Sequence, residues 1–87
     1  MTNENLTNDE KSNLDKLNFF YSEKVFVHLK LKRTDNSGKH IFFNGKLKRK
    51  LTDTLFLLEE RVLGDTEVSI FEIKDEGGVN KMEVKEK

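Results

Sequence analysis

Residues 41–73 read Ile41-Phe-Phe-Asn-Gly45-Lys-Leu-Lys-Arg-Lys50-Leu-Thr-Asp-Thr-Leu55-Phe-Leu-Leu-Glu-Glu60-Arg-Val-Leu-Gly-Asp65-Thr-Glu-Val-Ser-Ile70-Phe-Glu-Ile73. Three short β-patterned runs fit into this stretch, separated by turn residues at Thr52-Asp53 and Leu63-Gly64-Asp65. The first run, 40–51, places Ile41, Phe43, Gly45 and Leu47 on one face. Phe42, Asn44, Lys46, Lys48 and Lys50 fall on the other. Gly45 stands where a side chain would fill the core. A glycine inside a strand marks a sharp bend, which lets one strand serve two parts of a sheet. The second run, 54–62, is expected to turn Leu55 and Leu57 inward, and the third, 66–73, Val68 and Ile70.

Upstream, Val25–Lys32 alternates in the same way. Val25, Val27, Leu29 and Leu31 face the core, and Phe26, His28, Lys30 and Lys32 face out. Thr34-Asp35-Asn36-Ser37-Gly38 is a strong turn signal, so the strands 25–32 and 40–51 form a hairpin. Further back, Thr7-Asn8-Asp9-Glu10 matches a capping box, and Leu14, Leu17 and Phe20 or Tyr21 recur at helical spacing. A helix over 8–21 is expected, stable only when its apolar stripe is docked. Residues 1–6 are polar and expected to be disordered. Downstream, 75–78 is a loop and 79–85 a weak last strand using Met82 and Val84. The expectation is a single domain over 7–85, mainly β: an N-terminal helix followed by a five-stranded, strongly bent barrel of SH3-like or Sm-like type. Its core is read as Leu14, Leu17, Val25, Val27, Leu29, Ile41, Phe43, Leu47, Leu55, Leu57, Val68 and Ile70.

The chain has 87 residues, of which 37% are charged and 34% hydrophobic. That is a lean composition for one core, partly offset by seven large Phe rings. Without cysteine there are no disulfides and no thiolate metal sites. No apolar run approaches a membrane span, and Met1–Glu10 does not read as a signal peptide, so a soluble cytoplasmic protein is expected.

The formal net charge is zero, but the charges are segregated. Residues 30–50 carry Lys30, Lys32, Arg33, Lys39, Lys46, Lys48, Arg49 and Lys50 against Asp35, a net of +7. Residues 51–79 carry eight acids against Arg61 and Lys74, a net of −6. Such asymmetry fits a polyanion site, head-to-tail assembly, or neutralisation between neighbouring strands.

A helix and five short bent strands, with Phe43-Asn44-Gly45-Lys46-Leu47 in the second, resemble the Sm-like family of small barrels. Leu55-Phe56-Leu57 stands where that family has the apolar pair of its third strand, and Val68-Ser69-Ile70 matches its fourth. Residues 43–73 also look like small uncharacterised archaeal barrel proteins, which lend no function. The Sm-like resemblance implies a barrel, RNA as partner and homo-oligomers built through strand edges. It does not carry over the family's uridine pocket. Thr54 stands where an Asn precedes the third strand, and Phe71-Glu72 replaces an Arg-Gly.

The basic face of the first hairpin is the candidate site. Lysines neutralise phosphates and exposed aromatic rings stack on bases, which together make a platform for single-stranded nucleic acid. The residues expected to serve it are Lys30, Lys32, Arg33, Lys39, His40, Phe42, Lys46, Lys48, Arg49 and Lys50, with Phe26 and His28 interleaved. The bland alternative has Phe26 and Phe42 seating the helix through Leu14 and Leu17. A second functional reading is an SH3-like protein-interaction module whose groove is formed by Phe42, Phe56, Leu58 or Phe71. His28 and His40 could face each other across the hairpin, but no third metal ligand accompanies them. Glu59-Glu60-Arg61 reads as a solvated charge run. No catalytic triad, phosphate-binding glycine loop or dinucleotide fingerprint is present, so neither enzyme activity nor a cofactor is expected.

Overall fold

The computed structural model describes residues 6–82. Most of the expected disordered segment 1–6, and the end of the expected strand 79–85 with Val84, lie outside them. Among the described residues, α1 (Asn8–Glu23) precedes β1 (Phe26–Thr34), β2 (His40–Lys50), β3 (Leu55–Glu60), β4 (Gly64–Ser69) and β5 (Val79–Lys81). The strands form one antiparallel sheet in the order β4-β3-β2-β1-β5. The protein is therefore mainly β, a helix followed by a five-stranded sheet. Its hydrogen-bonded ladder runs from one edge to the other without closing on itself.

The helix starts as its sequence dictates. The Thr7 hydroxyl accepts from the Glu10 amide and the Glu10 carboxylate accepts from the Thr7 amide, at 3.1 and 2.9 Å. Leu14 and Leu17 are buried, and Asn13 beside them donates to the Lys74 carbonyl at 3.2 Å. Leu6 also packs against the core, which corrects its assignment to a disordered segment. The helix ends at Lys24, a left-handed C-cap with φ 59° whose amide donates to Phe20 and Tyr21. Glycine is the usual residue there, since a side chain in this conformation costs about 1 kcal/mol.

The β1–β2 hairpin closes around Asp35, whose carboxylate accepts from the Ser37 amide and hydroxyl and from the Lys39 amide. Chiefly through the Ser37 hydroxyl, and then those amides, it is held below the usual aspartate value. Gly38 supplies the positive φ of the turn.

Several expectations about side-chain direction and burial are overturned. In β3 the buried residues are Phe56 and Leu58, while Leu55 and Leu57 are only half-buried. Leu58 stands opposite the inward Leu47, which decides the face of β3; past that pair the register shifts to Arg49↔Leu57 and leaves Lys48 as a bulge in β2. Beyond a bulge every side chain changes face. Lys50 therefore leaves the outer face, sits over the Phe56 ring and donates to Asn18 of the helix at 2.9 Å.

The strand expected over 66–73 stops at Ser69, whose hydroxyl accepts from the Phe71 amide and starts a 3₁₀ turn, Ile70–Glu72. Three residues per turn bring Ile70 and Ile73 to one side, and both are fully buried. In a strand they would point to opposite faces. At the other edge the buried residue of β5 is Val79, paired with Leu29, whereas Met82 is half-buried. Val25, placed in the core from its alternation, precedes β1 and is half-buried, as is Ile41, which packs against the core's margin.

Gly45 pairs with Val27 on one side and Glu60 on the other. A Cβ there would lie 2.8 Å from the Glu59 carbonyl carbon and 2.9 Å from the Glu60 Cα, so the backbones meet where only glycine fits. Gly45→Val should lower the unfolding free energy by about 3 kcal/mol or more, because the obstructing atoms are backbone and cannot rotate away. Urea denaturation followed by circular dichroism measures this, and a loss within ~0.5 kcal/mol would contradict the close approach.

Candidate nucleic-acid interface

The outer face of the β1–β2 hairpin carries three facing pairs: Phe26↔Lys46, His28↔Asn44 and Lys30↔Phe42. Alternation places all six side chains opposite the core residues Val27, Leu29, Phe43 and Leu47. His28, Lys30, Asn44 and Lys46 are half-buried and the two Phe rings are exposed among the described residues. Phe26 is 41% exposed and Phe42 42%, so neither seats the helix, and the bland alternative fails on this point. The helix instead covers the core on the inner side of the sheet, with Tyr21 edge-on to Phe56 at 6.2 Å.

The six side chains organise one another. The His28 ring stacks on Phe42 with centroids 4.5 Å apart and planes 25° from parallel. The Nδ1 of His28 meets the Asn44 side-chain oxygen across the strands, which fixes the imidazole's orientation. The Lys30 ammonium lies 5.8 Å from the Phe42 centroid, and the Lys46 ammonium 5.7 Å from that of Phe26. Each exposed ring thus has a cation at its side, an arrangement that suits a π-stacking group carrying a phosphate.

The expected site residues separate into groups. Lys30, Phe42 and Lys46 lie on this face. Arg33 and Lys39 are exposed near the hairpin tip, and Arg49 is exposed beyond the bulge. Lys32 is paired with Asp75 at 3.8 Å and Lys48 with Asp65 at 3.0 Å. Lys46 faces Glu59 across the β2–β3 ladder. Part of the charge segregation is thus neutralised between strands, while Lys30 and Lys46 form no ion pair among the described residues. Lys50 is turned inward by the bulge and drops out of the face.

His40 does not meet His28. It faces Thr34, and its Nδ1 is 2.8 Å from the Leu31 carbonyl oxygen. Among the described residues no three His, Asp or Glu side chains come close enough to share a metal ion. Nor is any helix among them long and apolar enough to cross a membrane.

Glu60 is the residue whose role the sequence most concealed. Its carboxylate is buried and accepts from the amides of Asn44, Val62 and Leu63 at 2.8–2.9 Å, which clamps the β3–β4 turn. Burial pushes its pKa up, but the Asn44, Leu63 and Val62 amides, with Arg61 nearby, outweigh that and hold it below the usual glutamate value. The signal available in the sequence was an acid placed just before a turn whose amides need an acceptor.

Of the four residues expected to offer an apolar groove or edge to a protein partner, two lie in the core and two at the surface. Phe56 and Leu58 are fully buried, and only Phe42 and Phe71 are exposed. Compared with protein-family models, curated proteins and solved structures, the chain matches none of them.

Because the folded pKa of Glu60 lies below its ordinary value of 4.5, its contribution to stability is full above that pH. It fades as pH falls through the lower folded value. The wild-type protein should therefore lose this contribution progressively as pH falls below about 4.5, and Glu60→Gln should flatten that part of the profile while lowering stability at neutral pH. Thermal melts across this range test it, and parallel profiles for both proteins would refute the clamp.

Proposed function

We propose that this chain is an Sm-like small barrel that binds single-stranded nucleic acid, RNA in the first instance, on the outer face of its first hairpin. It acts as a cytoplasmic binding protein without catalytic activity. The observation that carries the reading is the pair of exposed rings, Phe26 and Phe42, each with a lysine ammonium within 6 Å of its centroid. Bases stack on such rings whatever their identity, and the ammonium groups neutralise the phosphates between them. His28 and Asn44, side by side between the rings, offer hydrogen bonds to a base edge.

The barrel part of the reading is supported by the strand order β4-β3-β2-β1-β5, the glycine at the β1–β2–β3 crossing and the short turn Ile70–Glu72 before the last strand. The edges of the sheet, β4 and β5, are the strands through which copies would assemble in such a family. RNA as the preferred polymer, and assembly itself, rest on the resemblance.

Fluorescence anisotropy of a labelled single-stranded RNA at several salt concentrations tests the platform. Affinity should fall with salt, with a slope of about −0.7 per phosphate contacted. Phe42→Ala should weaken binding by about 1–3 kcal/mol and leave the melting temperature nearly unchanged. Lys30→Ala and Lys46→Ala should each lower affinity and make the salt slope shallower. Binding indifferent to Phe42→Ala, or no binding at low salt, would overturn the proposal.

A further inference from the structure

Next to the platform, between the end of α1 and β2, a groove of about 470 Å³ opens, lined by Tyr21, Ser22, Lys24, Lys46, Leu47 and Lys48. Its volume lies in the range that holds small organic ligands. Three lysines from two separate elements border it. Lys48 is held by Asp65, and Lys46 has Glu59 across the ladder, so the groove is not a bare cluster of cations. Lys24 forms no ion pair among the described residues.

A second observation singles out Lys24. It is the one non-glycine residue with positive φ among the described residues, at a C-cap where glycine would relieve the strain. A strained backbone kept under a lysine whose side chain borders a groove is a reason to look for a ligand of that side chain. Lys46 joins the two places. Its ammonium lies against Phe26, at the end of the platform, and it also lines the groove. A strand stacked along Phe42, His28 and Phe26 reaches Lys46 and then the groove.

The chemistry asked for is a compact anion with more charge than an internal phosphodiester. A terminal phosphomonoester, with about −1.5 to −2 charges and three acceptor oxygens, matches a groove bordered by Lys24 and Ser22 on one wall and Lys46 on the other. Resting on the nucleic-acid reading above, we propose that this groove holds the terminal phosphate of a strand whose bases lie on the platform. Tyr21 and Leu47 form its apolar wall.

The experiment compares three internally labelled oligoribonucleotides of one sequence, with a 5′-phosphate, a 3′-phosphate, or hydroxyls at both ends. Each is titrated with the wild-type protein, Lys24→Gly and Phe42→Ala. One phosphorylated strand should bind about fivefold tighter than the hydroxyl strand, and which one it is gives the strand's direction. Lys24→Gly should erase that preference, bind the hydroxyl strand as wild type does, and melt at a higher temperature because the left-handed strain is gone. Equal wild-type affinity for all three strands, or a preference that survives Lys24→Gly, overturns the groove. In either case, binding that still depends on Phe42 leaves the platform standing. If the hydroxyl strand binds regardless of Phe42→Ala, the platform fails instead, and a strand that never binds overturns both.

Discussion

Gly45 lies between Val27 of β1 and Glu60 of β3, and the backbone at Glu59 and Glu60 comes so near that no side chain could stand between them. That contact fixes how β3 lies against β2, and much else follows. It sets Leu47 opposite Leu58, so Phe56 and Leu58 fill the core. It brings the Glu60 carboxylate to the Asn44 amide, from which it also holds the next turn. Asn44, whose amide is held by that bond from β3, meets His28 of β1 with its side chain. A backbone approach in the core is thereby linked through one residue to the exposed platform.

The bulge at Lys48 sorts the lysines. Before it, Lys46 stays on the outer face beside Phe26. After it, Lys50 swings to the helix and serves docking in place of ligand binding. A basic run that looks uniform as text thus divides into an outward cation, a paired one and a structural one. Burying the Lys50 stem against Phe56 while its ammonium meets Asn18 is an ordinary use of a long amphipathic side chain. The net positive charge of the hairpin overstates the charge available to a ligand, since Lys32 and Lys48 already face carboxylates.

Where the sequence carried one dominant periodicity, it was legible. The capping box, the alternation of Val27, Leu29 and Leu31 and the turn at Asp35 all rest on local chemistry, whereas Gly45, read as a bend, is required by the β3 backbone that passes against it. Leu55-Phe56-Leu57-Leu58 defeated the same logic because four apolar residues in a row give no alternation. Their direction is set by the partner strand, through the pairing of Leu47 with Leu58. Ile70 and Ile73 could not be placed together by a strand period, because a short 3₁₀ turn intervenes. At the candidate site, the outward position of Phe26, His28, Phe42 and Lys46 was readable, but which lysines were already paired depends on Asp65 and Asp75, distant in the chain. Lys24 left no trace, since its left-handed backbone has no sequence signal in a lysine.

The sheet's connections differ sharply in how much chain they enclose. β1 through β4 pair each with its neighbour across tight turns, whereas Leu29↔Val79 joins residues fifty positions apart. The entropy of closing that loop exceeds that of the Thr34↔His40 turn by about 2 kcal/mol. The helix shares in this non-local seam through the Asn13 bond to Lys74. The platform side chains stand on the locally closed hairpin, yet the β1 residues among them are also backbone partners of this non-local seam, His28 opposite Asn80, Phe26 accepting from Met82 and Lys30 donating to Gly78, so the last pairing to close also braces the platform.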